Sequence, residues 1–198
     1  MKTYTLALSG ASGSIYGQRL LLALESHPEV DKIYFIASKT AAAIANEELG
    51  IQGAGKLSQR LLGKKSKKVE ELAEGDLWAP AASGSGKIDG MVVAPCSAGT
   101  LSAIATGASR NLIHRAADVC LKERRKLILL LREAPYSAIH IENMRRATEA
   151  GAIIYPASPT FYDKPKDFTA AADQIAARVI ALLGLEPQKI KRWRQHPI

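Results

Sequence analysis

The sequence has few cysteines and no long apolar run, and each shortage excludes a class of protein. Cys96 and Cys120 are the two cysteines in 198 residues and form no CxxC pair, so we predict no disulfide framework and favour a reducing compartment. No uncharged apolar stretch reaches the roughly 18 residues of a transmembrane helix, so no membrane span is expected. The apolar stretch at the N-terminus is too short for a signal peptide, and we expect a cytoplasmic protein.

Two common ligand-binding patterns are missing as well. The glycines at positions 10, 13 and 17 do not match G-x-G-x-x-G, so the usual dinucleotide fingerprint is absent. The four histidines show no metal-ligand spacing, and no Asp-rich motif for Mg²⁺ occurs. We therefore predict no metal site.

The composition is that of an ordinary globular protein with an excess of positive charge. Hydrophobic residues make up 47% and charged residues 23% of the chain, whose length favours one domain over residues 1–198. The formal net charge of +8 points to an anionic partner, either nucleic acid or a small phosphate, or to a solvated basic surface. We interpret the lysines of 56–68 as a solvated face, and the basic tail at about 186–198 either docks or frays.

Apolar runs with the character of strands alternate with helical patterns along the whole chain. Strands are predicted at 3–8, 31–37, 91–94, 126–131 and 152–155, and residues 50–70 are expected to form loops with a short exposed helix. A helix over 136–150 is predicted to face inward through Ile139, and a last helix through Phe168. The alternation predicts the α/β class: a three-layer α/β/α domain with a mostly parallel, Rossmann-like sheet and helices on both faces.

The stretch 94–135 carries the strongest indication of function. A buried strand turns at residues 95–100, where small and hydroxyl residues open a helix, an arrangement suited to a phosphate. Arg115 and Lys122 are seven residues apart, so they share a side of the next helix, and we see no acid at matching spacing. Two such cations can converge on one anion at the carboxyl edge of the sheet, where open α/β folds bind ligands.

Two residues near that edge have a plain structural interpretation beside the functional one. Ser38 follows the second strand, where it either contacts a ligand or caps the next helix. Glu47 and Glu48 end that helix, an unfavourable position for anions against the helix dipole, which suggests that one of them has a purpose beyond solvation. Cys96 is interpreted as a buried thiol rather than a nucleophile.

Several long motifs together resemble the flavin prenyltransferase family of the UbiX type, within the homo-oligomeric flavin-containing Cys-decarboxylase-like flavoproteins. The resemblance extends from Thr3 to about Trp193 and is most specific in the central motifs. The motifs are GASGSIYG (10–17), PAASGS (80–85), APCSAGTLSAIATG (94–107), NLIHRAADVCLKERR (111–125), LREAPYSAIHIENM (131–144) and PTFYDKP (159–165).

The resemblance implies an enzyme that transfers a dimethylallyl group from dimethylallyl monophosphate to N5 and C6 of reduced FMN, without a metal. The prenylated FMN would serve UbiD-type decarboxylases, and the site would be assembled between subunits of a homo-oligomer, a dodecamer in the family. The implied FMN contacts are Gly10, Ala11, Ser12, Ser38, Ser97, Ala98, Gly99, Thr100 and Arg132. The implied prenyl-donor contacts are Trp78, Ser83, Arg115, Lys122, Tyr162 and Arg178, and the implied catalytic residues are Ser12, Glu48 and Glu133.

Two other functions are compatible with parts of the sequence. An FMN-dependent decarboxylase of the same fold, acting on a cysteine-containing substrate, typically has a PASANT-like motif and an active-site histidine after the first strand. Here the corresponding stretch is PAASGS, and residues 9–26 contain no histidine. A non-catalytic flavin-binding or nucleic-acid-binding protein would explain the positive charge but not the positions of the arginines, and we expect no nucleic acid as partner.

Overall fold

The computed structural model describes residues 1–161 and 164–187, and within them six parallel strands form one sheet. The strands are β1 (Lys2–Leu8), β2 (Val30–Ala37), β3 (Val69–Leu72), β4 (Gly90–Cys96), β5 (Lys126–Leu131) and β6 (Ile153–Pro156). Their order across the sheet is β3-β2-β1-β4-β5-β6, and all five neighbouring pairs are parallel. This confirms the predicted fold class. Tyr162 and the tail from 188 onward lie outside the described residues.

Helices cover both faces of the sheet and produce two separate apolar layers. The helices are α1 (Ser14–Ser26), α2 (Lys39–Leu49), α3 (Leu57–Leu62), α4 (Ala98–Thr106), α5 (Leu112–Lys122), α6 (Ala138–Glu149) and α7 (Phe168–Leu183). On one face α1, α2, α3 and α7 pack on strand residues such as Leu6 and Phe35. On the other face α4, α5 and α6 pack on residues such as Ala7 and Met91, as the alternation of side chains along a strand requires. Within the described ranges, no helix is long and apolar enough to cross a membrane.

Three expectations about elements were wrong. Strand β3 was not predicted, because VEEL lacks an apolar run; it is an edge strand whose backbone pairs with β2. Ile139 is 71% exposed, because it lies in the first turn of α6 and the inner face of that helix is formed by Asn143 and Ala147. Phe168 is 89% exposed as the first residue of α7, one turn before the helix reaches the core at Ala172.

The basic segment 56–68 is more than a solvated face. Helix α3 buries Leu57 and Leu61, so the short helix predicted to be exposed has a buried side. Lys68 Nζ donates to the carbonyl oxygens of Glu25 and His27 at the end of α1, at 2.9 and 3.0 Å. A lysine in that place satisfies carbonyls that have no partner within the helix and complements the helix dipole.

The sheet has a switch point between β1 and β4. From β1 the chain moves outward to β2 and β3, then crosses back to place β4 on the other side of β1. The two turns that leave these strands meet there, since the Ser9 N–H donates to the Pro95 carbonyl at 3.1 Å. In an open α/β sheet this crevice is the expected ligand site.

Close packing of α1 on β4 makes Gly17 intolerant of a side chain. A Cβ at this position would lie 2.5 Å from the Ala94 carbonyl oxygen and 3.0 Å from the Leu8 side chain. We therefore expect Gly17→Ala to lower the free energy of unfolding by about 2 kcal/mol through overpacking. Denaturant unfolding measures it. Gly75→Ala is the matched control, because nothing lies within 4 Å of its added Cβ; a similar loss in that variant would contradict the packing argument.

Candidate active site

Two turns at the switch point are tied together by the hydroxyl of Ser9, which is buried. Its Oγ accepts a hydrogen bond from the Ser97 N–H at 2.9 Å and donates to the Pro95 carbonyl at 3.2 Å. The turn after β1 therefore has a defined position relative to the turn after β4. A Cβ at Gly10 would lie 3.0 Å from Thr40 Cγ2, so a larger residue would push this turn away from α2.

The turn after β4 presents the N-terminus of α4. Ser97 caps the helix, with its Oγ accepting from the Thr100 N–H at 3.2 Å, and it also donates to Thr100 Oγ1 at 3.1 Å. The first N–H groups of a helix have no carbonyl partner within it, so those of Ala98 and Gly99 remain for a ligand. Free N–H groups and the helix dipole suit a phosphate group.

Ser38 has the structural role proposed for it from the sequence. Its Oγ accepts from the Ala41 N–H at 3.0 Å and caps α2, while its own N–H donates to the Leu8 carbonyl at 3.0 Å. The capping bond uses the oxygen as an acceptor, so the hydroxyl hydrogen remains a donor for a ligand. Both interpretations of Ser38 are therefore compatible.

Glu48 caps α1 from a neighbouring helix. Gly13, at the N-cap of α1, has a left-handed φ of 102° and no side chain to cap with. The carboxylate of Glu48 accepts instead from the N–H groups of Gly13 at 3.0 Å and Ser14 at 2.8 Å. Burial acts to raise the pKa of Glu48, but hydrogen bonds from Ser12, Ser14 and these N–H groups together hold it below its ordinary value. An anion disfavoured at the end of α2 is thus favoured at the start of α1.

The lowered pKa makes Glu48 a source of acid sensitivity. Since the folded-state pKa lies below the unfolded one, the stabilisation is present above about pH 4.3, the ordinary glutamate value, and is lost as pH falls through the folded pKa. We expect Glu48→Gln to flatten the decline in unfolding free energy below about pH 4.3 relative to wild type. Denaturant unfolding across this range measures it. Glu47→Gln is the neighbouring control, and an equal flattening there would contradict the assignment to Glu48.

Arg132 and Glu133 leave β5 at the same edge of the sheet. The Arg132 N–H donates to the Cys96 carbonyl at 3.1 Å, and its Nε donates to the Ser12 carbonyl at 3.2 Å. The Glu133 carboxylate accepts from the Ala134 N–H at 3.1 Å. Ser12, Glu48 and Arg132 therefore lie around one loop at this edge. Cys96 is fully buried, as predicted, and burial raises the pKa of its thiol to about 12.

Tyr16 belongs to this group and was missed. A Cβ at Gly13 would lie 2.9 Å from the Tyr16 ring and 3.8 Å from Arg132 Cγ, so these two side chains enclose the glycine. Burial raises the pKa of Tyr16, and the positive charge of Arg132 opposes that shift. An aromatic residue one turn after a glycine N-cap was the available signal, because that spacing places a ring over the turn.

A second group of proposed ligand residues, Ser83, Arg115 and Lys122, lies along α5. Arg115 Nε donates to the Ala82 carbonyl at 3.0 Å, and a Cβ at Gly84 would lie 2.6 Å from Lys122 Nζ, so the loop carrying Ser83 rests on this helix. The expectation that no acid matches these cations was wrong. Asp118, three residues after Arg115, pairs with it at 2.8 Å, and Glu123 pairs with Lys122.

Of the remaining ligand residues, Arg178 lies on the other side of the sheet from the second group. Arg178 is exposed on α7, whose packing face is the one opposite α5. Trp78 is 98% exposed, and its backbone N–H donates to Asp76 Oδ1 at 3.0 Å. Tyr162 lies outside the described residues. Over the described ranges, no cluster of histidine, cysteine, aspartate or glutamate could hold a metal ion.

Comparison with known proteins places the chain in a family. The flavoprotein family model matches residues 1–184. The flavin prenyltransferase UbiX of Pseudomonas aeruginosa is 43% identical, over 97% of this chain and 94% of that protein. A UbiX crystal structure in complex with FMN and dimethylallyl pyrophosphate superposes with a TM-score of 0.87 at 37% identity, covering 99% of each chain.

A dodecameric FMN-dependent UbiX-like decarboxylase from Escherichia coli O157:H7 is also similar. Its structure gives a TM-score of 0.86 at 35% identity and covers 97% of this chain and 99% of that one. These similarities extend over almost the whole chain, as the sequence resemblance did. The chain therefore belongs to the flavoprotein family and, within it, to the flavin prenyltransferases of the UbiX type.

Proposed function

We propose that this flavin prenyltransferase transfers the dimethylallyl group of dimethylallyl monophosphate to N5 and C6 of reduced FMN. The observation that carries the proposal is the meeting of Ser12, Glu48 and Arg132 around one loop at the switch point. This loop follows the first strand, and it faces the free N-terminus of α4 across the Ser9–Ser97 contact. The crevice therefore offers an anion site and proton-handling groups side by side.

The residues around the crevice fit FMN. The N–H groups of Ala98 and Gly99 and the hydroxyl groups of Ser97 and Thr100 suit the phosphate. On the other side, Gly10 and Ala11 leave room for the isoalloxazine ring, with Ser38 as a hydrogen-bond donor and Arg132 as a cation. When bound, reduced FMN supplies the nucleophilic ring atoms. Ser12, held by Glu48, orients toward the ring, and Glu133 accepts the proton that leaves when the second bond closes.

The cationic residues supply the stabilisation that the leaving group requires. As the C–O bond of the prenyl donor breaks, its electron pair leaves with the phosphate, so negative charge develops there. Arg115, Lys122 and Arg178 stabilise this charge, with Ser83 and Tyr162 as hydrogen-bond donors. The allyl group becomes positively charged at the same time, and the face of the exposed Trp78 ring suits it.

The separation of these residues supports a site shared between subunits. Arg115 and Lys122 lie on helices that cover the opposite face of the sheet from the helix of Arg178, which favours a site to which two chains contribute. We propose a homo-oligomer, a dodecamer as in the Escherichia coli neighbour. We further propose one flavoprotein domain over 1–198, a cytoplasmic location, and delivery of the prenylated FMN to a UbiD-type decarboxylase.

One experiment tests the proposal. Purified protein is incubated anaerobically with reduced FMN and either dimethylallyl monophosphate or the diphosphate, and the extracted flavin is analysed by mass and absorbance spectra. We expect prenylated flavin with the monophosphate. If prenylated flavin forms only with the diphosphate, the diphosphate is the prenyl donor. Unmodified flavin with both donors would overturn the proposal. Release of carbon dioxide from a cysteine-terminated peptide would instead favour the related decarboxylase activity.

A further inference from the structure

Glu74 joins two helices from opposite layers of the fold at the carboxyl edge. Its side chain, which is partly buried, accepts from the Lys39 N–H in the first turn of α2 at 3.3 Å. The other carboxylate oxygen accepts from Asn111 Nδ2, at the N-cap of α5, at 2.8 Å. Its backbone carbonyl accepts from the Leu112 N–H at 2.8 Å. One residue thus contacts the beginnings of two helices that cover different faces of the sheet.

The hydrogen bonds to the Glu74 carboxylate run in one direction, with Glu74 as the acceptor. Both contacts to the carboxylate come from donors at helix N-termini, where the dipoles favour a negative charge. The amide of Asn111 cannot rotate freely, because its Oδ1 accepts from the His114 N–H at 3.0 Å and caps α5. Its NH₂ group is therefore directed at Glu74. The Lys39 N–H, the Glu74 carboxylate and the Asn111 amide therefore have only one arrangement in which every donor meets an acceptor.

Glu74 also begins the loop that carries Trp78. The Asp76 N–H donates to the Ala73 carbonyl at 3.0 Å, and Asp76 Oδ1 accepts from the Trp78 N–H at 3.0 Å. With 98% of its surface exposed, Trp78 has almost no packing within the chain to hold its side chain. Its position therefore depends on the backbone between Glu74 and Pro80, and Glu74 anchors that backbone at one end.

We propose that Glu74 is a positioning residue that holds Trp78 at a set distance from Ser38, and so aligns the prenyl and flavin parts of the site. The inference rests on the proposed function and extends it. Glu74 is assigned no substrate contact. It acts through Lys39, which follows Ser38 directly, and through the loop that leads to Trp78.

Reversing the polarity of the Glu74–Asn111 contact tests the proposal. In Glu74→Gln, one amide oxygen replaces two carboxylate oxygens, so either the Asn111 amide or the Lys39 N–H meets a second donor. In Asn111→Asp, the helix cap is retained, but two carboxylates meet. In the double variant, the introduced glutamine donates to the introduced aspartate and still accepts from the Lys39 N–H. The contact is then restored with its direction reversed.

Three quantities are measured for the wild type and the three variants: the FMN Kd from flavin fluorescence, the KM for the prenyl donor and the melting temperature. We expect each single variant to raise the Kd and the KM by about tenfold, the effect of losing a hydrogen bond to a charged group. The double variant is expected to recover both constants to within about threefold of wild type. Such recovery supports positioning through this contact.

Two outcomes overturn the proposal. In the first, the single variants melt at lower temperature while Kd and KM stay at wild-type values. The Glu74–Asn111 contact then stabilises the fold without positioning the site. In the second, Kd and KM rise but the double variant does not recover them, so the effect does not pass through the pair. If the wild type binds FMN but forms no prenylated product, the proposed function fails, and the FMN Kd series still decides whether Glu74 positions the flavin side.

Discussion

Mixed oligomers of two inactive variants, Lys122→Ala and Arg178→Ala, are expected to recover prenyltransferase activity. Each variant alone should lose about a hundredfold in turnover, the usual loss when one group that stabilises developing negative charge is removed. Co-expressed in equal amounts, they should reach about a quarter of wild-type activity, because a quarter of the shared sites in a symmetric oligomer draw both intact residues. The measurement is turnover of oligomers purified through one tag on each variant.

The physical basis is the placement of the two cations in the fold. Lys122 ends α5, which packs on the layer with Ala7 and Met91, whereas Arg178 lies on α7, which packs on the layer with Leu6. The sheet lies between the two helices that carry them, which favours a site in which the two cations come from different chains. In a shared site each defective subunit still supplies the residue that its neighbour lacks.

The control for mixing is Lys65→Ala, which removes an exposed lysine away from α5 and α7. Co-expressed with Arg178→Ala, it should give about half of wild-type activity, since half of the sites receive an intact Arg178 and all of them receive an intact Lys122. If the Lys122 and Arg178 variants form mixed oligomers that are no more active than either parent, both residues act within the same chain or not at all.

Glu133→Gln is expected to keep FMN bound while lowering kcat by about a thousandfold, as is typical when a proton-transferring group is lost. The substitution preserves the size of the side chain and its hydrogen bond from the Ala134 N–H, because the amide oxygen accepts as the carboxylate does. It removes the ability to accept the proton that leaves C6 when the second bond of the new ring, the carbon–carbon bond at C6, is completed. Flavin absorbance measures binding, and single-turnover product formation measures the chemical step.

Glu149→Gln is the matched control, because Glu149 is an exposed glutamate that pairs with Arg145 on α6. It should leave both binding and turnover unchanged. A Glu133 variant that lost FMN without a change in the rate of bound enzyme would show a binding role instead. An unchanged single-turnover rate would assign the proton to another acceptor, such as the departing phosphate.

The sequence predicted the elements with strong local signals and missed those without them. Strands β1, β2, β4 and β5 were found because each is a short apolar run between turn residues. Strand β3 was missed because its two glutamates interrupt the apolar run that would indicate a strand. Its pairing with β2 depends on backbone hydrogen bonds, which the side chains do not reveal. The inward orientation of Ile139 was wrong because helical periodicity does not show where a helix meets its sheet.

The site divides in the same way. Ser97 and Arg132, which follow a strand or begin a helix, were predicted to lie at the carboxyl edge because parallel strands end at one edge, and the structure places them there. Glu74 was missed because its importance lies in contacts with distant parts of the chain, whereas Tyr16 was missed despite a local signal, its place one turn after a glycine N-cap. The Asp118 partner of Arg115 was missed despite its helical spacing of three residues.

The sequence by itself determined the α/β class and the family, and it predicted a ligand site at the carboxyl edge, because these depend on local periodicity, turn residues and long motifs. Only the tertiary structure decided that Glu48 caps α1 and that Glu74 joins α2 to α5, because these contacts connect residues more than thirty positions apart. It also decided that Lys122 and Arg178 lie on opposite faces, because the direction of each crossover sets which layer a helix joins.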